Sequence, residues 1–207
     1  MSAQDPARGR DRDVHRLLTF IDAIVAIAIT LLVLPLVDLT QDMTADESVA
    51  HLLRTHQPEL WSFLLSFVVI ARMWVAQHRT SRPLVASHYT VSALLLLWAL
   101  TIAFLPFPTA LVAKAGHQPA TKILYIGTIA LGTLAIELVS WVMKRNPQIT
   151  DGGGHKSAAE SSGVITGVLL LLALAITLTF PATSYFPLLL LLLEGPIRRL
   201  MNKIGRK

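Results

Sequence analysis

The chain has 207 residues, 53% of them hydrophobic and 15% charged, with a formal net charge of +5 and a mean hydropathy of +0.58. So apolar a composition excludes an ordinary soluble domain and points to a multi-pass membrane protein, whose surplus of cations is then topological and not a nucleic-acid surface. The absence of cysteine rules out a disulfide framework, a thiol nucleophile and a thiolate metal site.

Residues 1–15 form a polar tail without the short apolar core and small-residue cleavage site of a signal peptide, so the first apolar run is expected to stay as a helix. Six apolar runs follow, at 16–37, 59–78, 88–113, 121–143, 162–181 and 184–200. Each has roughly the 20 residues that a spanning helix needs. The first carries Asp22, six residues beyond Arg16 and so about 9 Å into the membrane. A carboxylate there is costly unless the protein supplies partners, which makes it a functional candidate.

The second run brings Trp74 and His78 to the same depth, four residues apart on one helical face. An indole donor and an imidazole so placed can address one buried carboxylate and keep it ionised. The plainer reading is a clamp between the first two spans; the alternative is a proton-sensing or gating group. The acidic loop from Asp38 to Pro58 has room for a short surface helix. Glu137 on the fourth run stands at a depth where Arg72 of the second could pair with it. Asp151-Gly-Gly-Gly-His155 reads as a flexible connector. Pro181 and Pro187 between the last two runs predict a hairpin, and Glu194 before Gly195-Pro196 ends the sixth helix.

Basic residues set the orientation. Arg8, Arg10, Arg12 and Arg16 precede the first span, Arg79 and Arg82 follow the second, Lys144, Arg145 and Lys156 follow the fourth, and Arg198, Arg199, Lys203, Arg206 and Lys207 close the chain. The alternate connections hold only Arg54, Lys114 and Lys122. Both tails, 1–15 and 201–207, are therefore expected on the cytoplasmic side of the cell membrane. No internal repeat divides the chain, so 1–207 reads as one all-α unit. Six helices are few for a self-contained transporter, and a central pathway belongs more naturally at the axis of an oligomer.

The remaining histidines lack metal-ligand spacing, and no Ser/His pair, aspartate pair or zinc motif shares a depth, so neither a metal site nor an enzyme is expected. One stripe of the first span stands out. At about 100° per residue, Ala23, Ile27, Thr30, Leu31 and Leu34 share a face turned away from Asp22. If Asp22 faces its own subunit, that stripe is left for lipid, another subunit or a pore axis.

The segment Arg16-x-x-x-Phe20-Ile21-Asp22, followed by Ala-Ile-Ala-Ile-Thr-Leu-Leu-Val-Leu, resembles the first helix of the endosomal and lysosomal potassium channel family known as transmembrane protein 175, in its single-repeat prokaryotic branch. Trp74-x-x-x-His78 and Phe104-Leu-Pro106-Phe107-Pro-Thr109 resemble the same family, so the likeness covers the first three spans. It implies a homotetramer of six-helix subunits, embedded in membrane lipid, whose four first helices surround a central pathway. A looped carbonyl filter is absent in such a channel, and this chain has no Thr-Val-Gly-Tyr-Gly segment.

Carried over by position, Ile27 becomes the hydrophobic constriction, Leu31 and Leu34 extend the narrow zone outward, and Thr30 supplies a hydroxyl ring. Arg16, Phe20, Asp22, Trp74 and His78 become the signature network that fixes the helix. The implied function is passive conduction of monovalent cations, potassium preferred, with no cofactor beyond the transported ion. A proton-coupled transporter using Asp22 or Glu137 is the runner-up. Ile21 departs from the family's Ser, and His88 and Tyr89 stand where an Asn is common.

Overall fold

The computed structural model describes residues 6–41, 48–86 and 88–151. Among them, four stretches are long and apolar enough to cross a membrane: Arg12–Asp38, Gln57–Ser81, Tyr89–Ala115 and Pro119–Arg145. They coincide with the first four expected spans. The fifth and sixth, with the hairpin between them, Glu194 and the C-terminal tail, lie outside the described residues.

The first stretch is not one continuous helix. Helix α1 runs Pro6–Leu31 and α2 runs Leu34–Asp38. Pro35 is the physical cause: it has no N–H for the Leu31 carbonyl four residues back, and its ring crowds that oxygen. The chain tightens before it, with Leu32 N–H on the Ala28 carbonyl at 3.3 Å and Val33 N–H on the Thr30 carbonyl at 3.2 Å. The second bond is the closer i to i+3 spacing of a 3₁₀ turn.

The expected surface helix in the following loop is α3, Val49–Thr55. Ser48 caps it by accepting the His51 N–H at 3.2 Å. Helix α4, Gln57–Ser81, opens with a proline in its first turn, where no N–H is needed. The third span also divides at a proline, into α5 (Tyr89–Phe104) and α6 (Pro106–Ala115). Pro106 cannot donate to the Ile102 carbonyl, so Leu105 N–H serves it at 3.2 Å while also bonding Thr101 at 3.1 Å. Helix α7, Pro119–Arg145, ends on Lys144 and Arg145, whose charges suit the negative end of the helix dipole.

Helix α5 is the centre of the bundle, lying along α7 and against α1, while α4 packs on α6 and α7. Its Leu95, Trp98 and Ile102 are almost wholly buried. Helix α1 turns Ile21, Val25 and Ala28 into this core, and Leu32 just past its end follows, at the i, i+4, i+7, i+11 spacing of one helical face. The close approach of α4, α5 and α7 depends on Gly132: a Cβ there would stand 2.5 Å from both Met73 Cε and Thr101 Oγ1.

Polar side chains also lock the bundle. Ser66 Oγ of α4 lies 2.9 Å from Tyr125 Oη of α7 and 2.8 Å from Thr109 Oγ1 of α6, which is also 2.8 Å from the Leu105 carbonyl. Three hydroxyls in apolar surroundings thus partner one another, so none bears the cost of an unmade bond. At the other end, the connection after α4 pairs with the chain beyond α7. Leu84 and Thr150 form an antiparallel bridge, with Val85 N–H on the Ile149 carbonyl at 3.0 Å and Asp151 N–H on the Pro83 carbonyl at 2.9 Å.

Candidate functional site

The core-facing side of α1 determines what its other side can do. Taking Ile21 as the reference and about 100° per residue, the buried set stays within about 40° of it, whereas Thr30, Leu34, Ile27 and Leu31 fall between about 180° and 280°. Phe20 and Ala23 fall in the same sector. All of these are exposed on the protomer: Ile27 is 59% exposed, Leu34 53%, Leu31 40% and Phe20 56%. A continuous apolar face on a spanning helix therefore has no partner within the described chain.

Thr30 is the one hydroxyl on that face near Ile27, and it is internally committed. Its Oγ1 donates to the Ile27 carbonyl at 2.7 Å. With the proton spent on the backbone, the outward side of the oxygen offers lone pairs, which suit a cation and not an anion. Just beyond it, the helix breaks at Leu31.

Asp22 sits on the flank, about 100° from the core direction, and Trp74 reaches it: the indole Nε1 donates to Asp22 Oδ1 at 2.8 Å. His78 does not complete a three-membered set. Its ring stacks obliquely on Trp74, centroids 5.7 Å apart and planes at 34°. Among the described residues no hydrogen bond joins His78 to Asp22. Nor is the carboxylate buried, as its place in the sequence leads one to expect; Asp22, Trp74 and His78 all lie on the protomer surface. The reason is geometric: an i+1 neighbour of a core residue points to the edge of the helix–helix contact, not into it.

Arg16 is exposed one and a half turns before Asp22, in a group with Arg12 and His15. Ile21, which replaces a serine of the resembled family, is completely buried and contributes only packing. His88 precedes α5 with extended backbone and no capping bond from its side chain, and Tyr89 is almost fully exposed. Arg72 and Glu137 are each partly buried. Among the described residues no group of three His, Cys, Asp or Glu side chains could hold a metal ion.

The hydroxyl cluster of Ser66, Thr109 and Tyr125 is not evident from the sequence. Its one trace there is a small polar residue inside each of two apolar runs. The break at Pro35 has a plainer signal, a proline inside a helical run.

Residues 16–106 match the family model described as endosomal/lysosomal potassium channel TMEM175. A potassium channel of Streptomyces collinus is 28% identical over 155 residues, covering 72% of this chain and 73% of that protein. A potassium channel of Chamaesiphon minutus is 35% identical over 115 residues, covering 54% of this chain and 55% of its own length. The endosomal/lysosomal proton channel TMEM175 of Mus musculus is 27% identical over 142 residues, and this chain spans only 28% of its length. The crystal structure of a lysosomal potassium-selective channel TMEM175 homolog from Chamaesiphon minutus superposes with a TM-score of 0.69 at 22% identity, covering 90% of this chain and 98% of that one. At that identity the likeness is one of fold.

Proposed function

We propose that this chain, whose residues 16–106 match the TMEM175 family, is a passive, potassium-preferring cation channel. The working form is a homotetramer in the cell membrane with both termini cytoplasmic. Four copies of the first span present Ile27, Thr30 and Leu31 of α1 and Leu34 at the start of α2 to a common axis. The observation that carries this reading is the apolar face of α1, which has no partner among the described residues although the opposite face is the core of the bundle.

The mechanism follows from the side chains. A ring of four Ile27 side chains is narrow and offers an ion no ligands, so water leaves it readily and the neck resists conduction. Potassium holds its hydration shell less tightly than sodium and loses less on entering. Thr30 oxygens, one turn away, return part of what is lost. No carbonyl cage contributes, so selectivity is modest. A small rotation of α1 moves Ile27 off the axis and opens the neck. The Trp74–Asp22 bond limits that rotation by tying α1 to α4, and Phe20 lies on the same face as Ile27, nearer the N-terminal end.

Similarity to a channel family argues against enzymatic chemistry, and no step requires a cofactor. A second reading is favoured by one observation: the mammalian relatives are named proton channels. In that case protons share the pathway, and Asp22 or Glu137 are the groups able to carry them. Liposome flux decides among the readings. A potassium channel dissipates a potassium gradient without obligatory proton exchange, a coupled transporter requires it, and a proton channel carries protons with the potassium gradient absent. Ile27→Asn should hydrate the neck, raise flux and relax selectivity; unaltered flux in that variant would remove Ile27 as the constriction.

A further inference from the structure

We propose that the cavity at the N-terminal end of the first span binds the phosphate headgroup of an anionic phospholipid from the leaflet on that side. The cavity is about 560 Å³ and is lined by Arg12, Val14, His15, Arg16, Leu18 and Leu84. Arg12, His15 and Arg16 are spaced i, i+3, i+4 and so project from one side of α1. All three are exposed. None of the three side chains has a hydrogen-bond or ion-pair partner among the described residues, and Asp13, the only acid between them in sequence, does not line the cavity.

Among the described residues the rest of the lining is apolar. Val14 and Leu84 are buried, Leu18 is half-buried, and Leu84 is held in place by its bridge to Thr150. A cationic rim over an apolar wall suits an amphiphile: guanidinium groups bind phosphate oxygens in pairs, and the wall takes the glycerol and first acyl carbons. Free phosphate would have no use for that wall. Depth agrees, because Arg16 is the last charge before the apolar run that begins at Leu17, which places the rim at headgroup level. The site lies outside the proposed pathway and makes no demand on what the protein conducts.

The test is native mass spectrometry of the full-length protein, delipidated in detergent and offered equal amounts of phosphatidylglycerol and phosphatidylcholine with matched chains. Wild type should retain phosphatidylglycerol in preference. Arg12→Gln should cut that preference about fivefold, the loss expected for one interfacial cation. Arg12→Lys should keep most of it, and Arg54→Gln, on α3, all of it. Melting temperature, read alongside, establishes that each variant is folded. The proposal is overturned by equal retention of the two lipids in wild type, by an effect of Arg54→Gln as large as that of Arg12→Gln, or by millimolar inorganic phosphate displacing the lipid completely. Because the readout is bound lipid, failure here leaves the channel reading standing, and failure of the channel reading leaves this site standing.

Discussion

Gly132→Ala is the sharpest test of how the helices are packed. The added methyl would sit 2.5 Å from Met73 Cε and 2.5 Å from Thr101 Oγ1, with Thr101 Cβ at 3.5 Å. Met73 can swing its terminal methyl aside at small cost, since methionine has three rotatable bonds. Thr101 cannot: it is β-branched, and its hydroxyl donates to the Trp98 carbonyl at 2.6 Å. Relief therefore requires either breaking that bond or moving α7 away from α5, and overpacking of this kind costs about 1–3 kcal/mol. For a chain of this size each kcal/mol corresponds to about 2–4 °C in melting temperature, so a loss of several degrees is expected. Gly127, on the same helix, is the internal control: a Cβ there meets nothing within 4 Å. Gly127→Ala should leave stability unchanged or raise it by up to about 1 kcal/mol through helix propensity. The assay is thermal unfolding of both variants in one detergent, followed by Gly132→Ala combined with Thr101→Ala, which should recover part of the loss. Equal melting temperatures for Gly132→Ala and Gly127→Ala would refute the packing described for α4, α5 and α7.

Other outcomes follow from the same geometry. Trp74→Phe keeps the ring and removes the donor to Asp22. It should cost about 0.6–1.7 kcal/mol, the range for hydrogen bonds between membrane helices, and Asp22→Ala a similar amount, so a double-mutant cycle should show the two losses to be non-additive. Thr109→Val leaves Ser66 with Tyr125 alone and should lower stability by about 1 kcal/mol, measured by unfolding, without altering ion preference. The Thr30 hydroxyl bonds only its own helix among the described residues, so Thr30→Val should leave unfolding unchanged while lowering the potassium-to-sodium flux ratio in liposomes. An unchanged ratio would remove Thr30 from the pathway.

Hydrophobicity made the first four spans legible, because the gain from burying apolar length in a bilayer outweighs local preferences and leaves its mark residue by residue. The run at 121–143, for instance, is the helix Pro119–Arg145, extended by Pro119 and Ala120 at one end and by Lys144 and Arg145 at the other. Rotation was legible for α1, where Ile21, Val25, Ala28 and Leu32 are core and Ile27, Leu31 and Leu34 are not, because residue spacing alone separates the two faces. What hydropathy does not encode is the identity of partners. Asp22 and Trp74 could be matched by depth, but the oblique stacking of His78 on Trp74 and the exposure of Asp22 depend on the crossing of α1 and α4, which no pattern within either helix specifies. The same holds for Ser66 with Thr109 and Tyr125, and for the bridge between Leu84 and Thr150: each joins segments far apart in sequence through contacts that only the assembled bundle creates.

A thiol placed on the face of α1 that carries Ile27 reports directly on whether that face lines the proposed ion pathway. The chain has no cysteine of its own, so Ile27→Cys introduces a single thiol into a silent background. Potassium flux through the reconstituted variant should stop on addition of silver ion, a thiol-reactive monovalent cation, while wild type and the core-facing Ala28→Cys continue to conduct. Undiminished flux through Ile27→Cys after its thiol has been titrated to completion would place this face of α1 away from the pathway.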